Sequence, residues 1–316
     1  MIHARSLAEV PAGRPALLTI GSFDGVHLGH QILIRELAAK GRARNFRTAV
    51  VTFFPHPSVV LRGRKPSFYI NTPDEKAAMF ANLGVDVTVT HPFDRAVAEI
   101  TAADFTERLL AAFDFKELWC GADFAFGHNR EGNVQWLTEY GAKRGFTVHV
   151  VEPITINGEV ISSSRVRIAL AEGDVEQAAA CLGRPFQLPG TVVEGNRRGR
   201  TIGIPTANLG IWDERAYPAR GVYACRAWVA DQSVDAVTNI GLRPTFEAET
   251  KPTIEAHLLD FDADLYGKTI RLDFVARLRP EMKFTGVNEL VAQIHRDVDN
   301  ARELLKPQIP NPKIQK

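Results

Sequence analysis

Residues 15–40 read PALLTIGSFDGVHLGHQILIRELAAK, and this stretch decides how the N-terminal half is read. An apolar run, "PALLTI", leads into the turn "GSFDGVHLGH" (Gly21–His30), and "QILIRELAAK" continues with helical spacing. The order is strand, glycine-bearing turn, helix. Gly21 and Gly25 let the backbone turn tightly and approach a ligand. His27 and His30 are one helical turn apart and can face the same point. A neutral imidazole offers one N–H and a charged one two, which suits phosphate oxygens. Ligands of open α/β sheets bind at the carboxyl ends of strands, against helix N-termini. The turn is therefore a candidate phosphate site. Spacing alone leaves two other readings: a capped helix with two surface histidines, and a zinc pair, for which no third ligand stands at a useful spacing.

Outward from this turn, "TAVVTFF", "VDVTVT", "ELWC" and "TVHVV" repeat the apolar-run theme, with helical segments between them. One helix starts at "TPDEKAAMF", where Thr72 as N-cap, Pro73 at the first helical position and Glu75 two further on form a capping box. Another starts at Thr101, with Leu109, Leu110 and Phe113 at helical spacing. Two more are expected over 163–172 and 175–182. Nearly all-apolar strands alternating with helices predict a parallel sheet covered on both faces. This α/β domain is expected to span residues 1–183.

After "LGRPFQLPG" the texture changes. "GTVVEG", "GVYACRAWVA", "SVDAVTNIG", "TIEAHLLDF" and "TIRLDFVARL" alternate and are broken by Gly, Pro, Asn and Asp. That is the pattern of a small antiparallel barrel or sandwich, expected over 184–308. A last helix over 286–305 carries an apolar stripe of Val287, Leu290, Val291, Ile294, Val298, Ala301 and Leu305. Residues 309–316 form a polar, proline-bearing tail.

The second half has its own candidate site. "GNRRGRTIGIPTANLG" (Gly195–Gly210) is rich in glycine and arginine but lacks the Walker pattern. Backbone N–H groups of such a loop can cradle phosphates. Thr206 and Asn208, two apart on an extended segment, share one side. A hydroxyl and an amide oxygen there could hold Mg²⁺. A glycine-rich hairpin with solvated arginines is the competing reading. In "TIEAHLL", Glu255, His257 and Leu259 share one strand face and Ile254, Ala256 and Leu258 the other, so Glu255 could also be a plain solvent-facing carboxylate.

Bulk composition narrows the class. Of 316 residues, 45% are hydrophobic and 24% charged, an ordinary globular balance with room for two cores. Lys plus Arg is 38 against 37 Asp plus Glu, which gives no support for nucleic-acid or polybasic membrane binding. Three dispersed cysteines (Cys120, Cys181, Cys225) fit a reducing compartment. "MIHARSLAEV" lacks the apolar core of a signal peptide, and no run approaches the ~18 apolar residues of a membrane span. A cytoplasmic location is expected.

With these residues in view, "GSFDGVHLGH" resembles the (H/T)xGH nucleotidyltransferase signature in the form found in bacterial FAD synthetases. The likeness continues in register through "FFPHP" (Phe53–Pro57), "GADFAFGHNREGN" (Gly121–Asn133) and "ISSSRVR" (Ile161–Arg167). Ser22 and Ser164 stand where that family more often has Asn and Thr. "GRTIGIPTANL" resembles the GxPTAN signature of riboflavin kinases, and "GVYA", "TNIGLRPTF", "TIEAHLLDFDADLYGK" and "LRPEMKF" follow in that family's order. The resemblance implies a Rossmann-like nucleotidyltransferase domain followed by a six-stranded antiparallel riboflavin kinase barrel with a C-terminal helix. It implies two reactions: ATP phosphorylates riboflavin to FMN, then a second ATP adenylylates FMN to FAD with release of pyrophosphate, both with Mg²⁺. It implies Gly21, Ser22, Phe23, Asp24, His27, His30, Ser163, Ser164 and Arg167 around the adenylylating ATP, with His27, His30 and Arg167 acting in transfer. Pro55, His56, Pro57, Asp123, Phe124, Phe126 and Arg130 would hold the flavin, with core packing as the competing reading of Phe124 and Phe126. Gly199, Gly203, Pro205, Thr206 and Asn208 would bind the kinase ATP, with Thr206 and Asn208 on the metal and Glu255 as catalytic base. Asn239, Arg243, Arg279 and Glu281 fall in family motifs without a sharp role.

Overall fold

The computed structural model describes residues 1–63, 67–195, 203–243 and 251–306. The chain divides into two compact units, Met1–Ser163 and Ser164–Lys316.

The first unit is built on β1 (Ile2–Ala4), β2 (Ala16–Ile20), β3 (Arg47–Phe54), β4 (Val87–Pro92), β5 (Glu117–Gly121) and β8 (Thr147–Val151). They pair in the order β1-β4-β3-β2-β5-β8, every neighbour parallel. Parallel neighbours need crossovers. These are α1 (Leu28–Arg44), α2 (Pro57–Arg62) with α3 (Pro73–Asn82), α4 (Arg95–Ala98) with α5 (Ala102–Phe113), and α6 (Val134–Arg144). All five residues of β2 are buried, which is why its sequence is apolar but for Thr19, whose hydroxyl donates to the Trp119 carbonyl at 2.8 Å. Leu18 and Ile20 pack with Phe105, Leu109 and Leu137 on one face, while Leu17 and Val50 pack with Ile34, Leu37 and Phe80 on the other. The capping box is present: Thr72 Oγ1 accepts the Glu75 N–H at 3.2 Å and Glu75 Oε2 accepts the Thr72 N–H at 3.0 Å. Thr101 caps α5 by accepting the Asp104 N–H at 3.0 Å. Two short antiparallel pairs complete this unit, β6 (Ala125–Phe126) with β7 (Gly132–Asn133) and β9 (Thr155–Ile156) with β10 (Glu159–Val160).

The second unit is a closed antiparallel barrel. Its strands are β11 (Phe186–Val193), β12 (Ala207–Gly210), β13 (Gly221–Val229), β14 (Gln232–Arg243), β15 (Lys251–Leu258) and β16 (Thr269–Arg279), in the order β11-β12-β15-β14-β13-β16. Pairing of β11 with β16, Phe186 opposite Phe274, shuts it and leaves no open sheet edge. Helices α7 (Ser163–Glu172) and α8 (Val175–Leu182) occupy the ranges the sequence predicts. Arg277 donates to the Glu172 carbonyl at 3.0 Å and the Ala219 N–H to the Leu170 carbonyl at 2.8 Å. By these contacts α7 goes with the barrel, and α8 falls in the same compact unit, whereas the change of texture read from the sequence comes after them.

Helix α9 (Val287–Leu305) packs Val298, Ala301 and Leu305 against the barrel. The apolar stripe expected along its whole length is not all buried, for Val287 is 59% exposed. A charged pair occupies the packed centre instead. Arg279 donates to Asp297, Nε to Oδ1 at 3.0 Å and Nη2 to Oδ2 at 2.8 Å, and Asp297 is only 2% exposed. Arg279, without a sharp role in the sequence, thus anchors the helix. The tail at 309–316 lies outside the described residues.

All three cysteines are buried thiols. Burial pushes Cys120 up to about 11 and raises Cys225 further.

Candidate active sites

The turn between β2 and α1 has an unusual backbone. Phe23, Gly25 and Val26 have φ of 48°, 82° and 43°. For a β-branched residue such as Val26 this region costs on the order of 1–3 kcal/mol and persists only where neighbours over-determine it. They do so here. The Asp24 carboxylate, 1% exposed, accepts the N–H groups of Ile70 at 3.2 Å and Asn71 at 3.3 Å. Lys76 Nζ donates to the Ser22 carbonyl at 2.9 Å and to Thr52 Oγ1 at 3.0 Å, and the Thr52 hydroxyl donates to the same Ser22 oxygen at 2.9 Å. Gln31 Nε2 donates to the Val26 carbonyl at 2.9 Å.

The histidines follow from this turn. His27 is the N-cap of α1, its Nδ1 accepting the His30 N–H at 3.4 Å. That bond leaves the ring proton of neutral His27 on Nε2. The two rings stack with centroids 3.5 Å apart and planes at 21°. A Cβ on Gly29 would stand 3.3 Å from His27 Cε1, so glycine keeps the stack uncrowded. Burial first, then the neighbouring His27 and Lys76, holds His30 well below the ordinary histidine range. His30 is therefore neutral at pH 7, and its buried Nδ1 has no hydrogen-bond partner among the described residues.

Of the residues expected at this site, Gly21, Ser22, Phe23, Asp24, His27, His30 and Ser163 come together. Ser163 Oγ donates to the Asp24 carbonyl at 2.8 Å. Phe23 is buried edge-on against His30 at 5.0 Å. Asp24 spends its carboxylate on backbone amides and is not the helix cap. Ser164 and Arg167 follow on α7 and belong to the second unit. Sequence reasoning missed Lys76 and Thr52. A lysine inside "DEKAAMF" has the local pattern of a solvated helix face, and only the sheet's non-local pairing buries it.

The segments expected to hold flavin begin, like the histidine turn, at carboxyl ends of parallel strands. After β3, His56 caps α2 by accepting the Ser58 N–H at 3.0 Å and donates its own N–H to Tyr69 Oη at 3.0 Å. Pro55 and Pro57 flank it, and Pro57 is the first helical residue of α2. After β5, Phe124 and Phe126 stack with centroids 5.6 Å apart at 23°. Both are half-buried and pack against the sheet core. Arg130 donates to the Asp123 carbonyl at 3.4 Å. The loop is pinned to the start of α5, where the Ala102 N–H donates to Glu131 at 2.8 Å. Gly127, at φ 76°, is required there because a Cβ would lie 2.6 Å from the Ala102 nitrogen.

In the barrel, strand register assembles the second site. Asn208 on β12 is opposite Glu255 on β15, and Glu255 is opposite Asn239 on β14. Three polar side chains thus stand abreast on adjacent strands. Ile254 and Ala256 are buried and Glu255 and His257 are half-buried, the alternation expected of β15. Leu259 departs from it, being buried just beyond the strand. His257 Nδ1 hydrogen-bonds the Pro205 carbonyl at 2.7 Å, which holds the backbone just before Thr206. A Cβ on Gly195 would lie 2.2 Å from Asn208 Nδ2, so the end of the β11 segment passes directly over that amide. At Gly241 a Cβ would meet Glu281 Oε1 at 2.7 Å and Asn239 Nδ2 at 3.5 Å, placing Glu281 over the same end of the row. Gly203 is exposed at φ 75°. Gly199 and the side chain of Arg243 lie outside the described residues. Among the described residues no group of three His, Cys, Asp or Glu could hold a metal.

An α/β domain with an HxGH turn, joined to a closed barrel carrying a PTAN segment and a strand carboxylate, defines a two-domain nucleotidyltransferase–kinase. The FAD synthetase family matches residues 10–165 and the riboflavin kinase family residues 182–305. The chain belongs to the bifunctional riboflavin kinase/FMN adenylyltransferase family. A member from Escherichia coli K12 is 40% identical over 307 residues, covering 96% of this chain and 97% of the relative. One from Listeria monocytogenes is 37% identical over 287 residues, covering 90% and 91%. A solved structure named as a macrolide-efflux protein from Streptococcus pneumoniae is 31% identical, with a TM-score of 0.88 over 95% of this chain and 98% of that one. Among the described residues of this chain, no helix is long and apolar enough to cross a membrane.

Proposed function

We propose that this chain makes FAD from riboflavin in two steps, phosphorylation at the barrel and adenylyl transfer at the HxGH turn. In the barrel, the ribityl 5′-oxygen of riboflavin attacks the γ-phosphorus of ATP, its proton passes to Glu255, and ADP leaves. At the HxGH turn, an FMN phosphate oxygen attacks the α-phosphorus of a second ATP and the bond to pyrophosphate breaks. The FMN phosphate is already anionic, so this step needs positioning and charge stabilisation more than a base. His27, with its proton on Nε2, and neutral His30 act as hydrogen-bond donors to the triphosphate. Ser163, Ser164 and Arg167 are assigned to ATP on their motif. Phe124 and Phe126, half-buried aromatic residues just after β5, suit contact with an isoalloxazine ring. The observation that carries the reading is the joint presence of the stacked histidine pair and the Asn208–Glu255–Asn239 row.

Mg²⁺ fits the barrel site. Thr206 and Asn208 offer two neutral oxygens, that of Asn208 beside the Gly195 crossing, and Mg²⁺ takes one or two protein oxygens with phosphates and water completing its shell. When bound, the ion would neutralise charge developing on the transferred phosphate. Thr206→Ala and Asn208→Ala should each lower riboflavin phosphorylation and raise the Mg²⁺ or ATP concentration needed for half-maximal rate. Unchanged kinetics in both variants would leave the PTAN segment as a structural turn.

Incubation of the full chain with riboflavin and MgATP tests the whole reading. FMN should accumulate first and FAD follow, with two ATP consumed per FAD. Conversion of added FMN without any phosphorylation of riboflavin would reduce the barrel to an accessory domain.

A further inference from the structure

Lys76 lies on the second turn of α3 and is 4% exposed. Its ammonium reaches out of its own helix to the Ser22 carbonyl at 2.9 Å and Thr52 Oγ1 at 3.0 Å. The segment leading into the same helix grips the turn again, through the Ile70 and Asn71 amides on the Asp24 carboxylate. The turn is thus held on both sides of Phe23. A buried ammonium is expensive to desolvate, and an apolar side chain of similar volume is often at least as stabilising. Stability alone gives no reason to keep a cation here, whereas a positive-φ turn that must aim two histidines gives one.

We propose that Lys76 is a positioning residue for adenylyl transfer: bonded to Ser22 and Thr52, it holds the Gly21–Val26 turn so that His27 and His30 present their N–H groups to the triphosphate. The proposal rests on the adenylyl-transfer reading of this turn. Asp24 faces the ammonium from the turn, His30, stacked on His27, from the start of α1, and neutral Thr52 from β3; Asp74 and Glu75 lie on its own helix. Burial pushes the Lys76 ammonium down to about 8, with Asp24 opposing the shift. As pH rises through that value the charge beside Asp24 is lost, and the charge-assisted bond to Ser22 weakens.

The experiment follows FAD formation from added FMN and ATP between pH 6.5 and about 9.5 in the full chain, with riboflavin phosphorylation as the internal comparison. In the unsubstituted protein, kcat/KM for FAD formation should fall as pH rises through about 8, while phosphorylation shows no matching limb. Lys76→Met should lose about 10²-fold in FAD formation, the scale of a misplaced catalytic group, and its residual rate should be flat across this range. Lys76→Arg keeps a charge that does not titrate; it should retain more activity than Lys76→Met and lack the limb. Full FAD formation by Lys76→Met would overturn the proposal, as would a limb near 8 that survives in either variant. Should Lys76→Met fail to fold, by circular dichroism, Lys76→Arg decides, because a folded arginine variant that keeps full FAD formation together with the limb removes the role. An unsubstituted chain that makes no FAD at all would instead overturn the adenylyl-transfer reading.

Discussion

Replacing His27 by alanine should lower FAD formation from FMN and ATP by about 10²–10³-fold, the usual cost of one donor aimed at developing charge. Riboflavin phosphorylation should keep its rate, because Glu255 and its neighbours lie in the other unit. Two effects are mixed in that variant, since His27 also caps α1. His27→Asn separates them: asparagine is a strong N-cap but lacks the Nε2–H donor. If His27→Asn restores helix stability without restoring FAD formation, the imidazole acts on the phosphates. Normal adenylylation in both variants would remove His27 from the mechanism. Separate assays with FMN and with riboflavin, read by chromatography of the flavins, decide the matter.

Glu255→Gln should give the opposite pattern. The amide is nearly isosteric and can keep its place between Asn208 and Asn239, but it is a poor proton acceptor. Loss of a general base costs about 10²–10⁴-fold, here in riboflavin phosphorylation. Added FMN should still become FAD at close to the normal rate. A variant that phosphorylates riboflavin well would sink the assignment of the base. The two substitutions together thus test whether the two reactions depend on separate catalytic residues as proposed.

Where the fold was legible, the information was local. Burial of β2 on both faces leaves a run that is apolar except for Thr19. Thr72 and Glu75 announce α3 within four residues, and α7 and α8 keep the ranges read from their periodicity. Strands β6 and β7, of two residues each, are too short to carry a period. The row of Asn208, Glu255 and Asn239 was visible only as separate motif residues, because adjacency across three strands is set by register. Asp297 shows the same limit on α9. A carboxylate within an amphipathic pattern marks the solvent face, and only the distant Arg279 makes it a core position. Lys76 was invisible for that reason too. His27 and His30 were legible because the turn that presents them and the helix that carries them are contiguous in sequence.

The buried cysteines give each unit a silent clock. Cys120 belongs to the first unit, and Cys181 and Cys225 to the second. A thiol shielded from solvent is inert to alkylating reagents until the structure around it opens. The order in which these three side chains are captured by such a reagent therefore records which unit breathes first, and how often, in the intact chain with no label introduced.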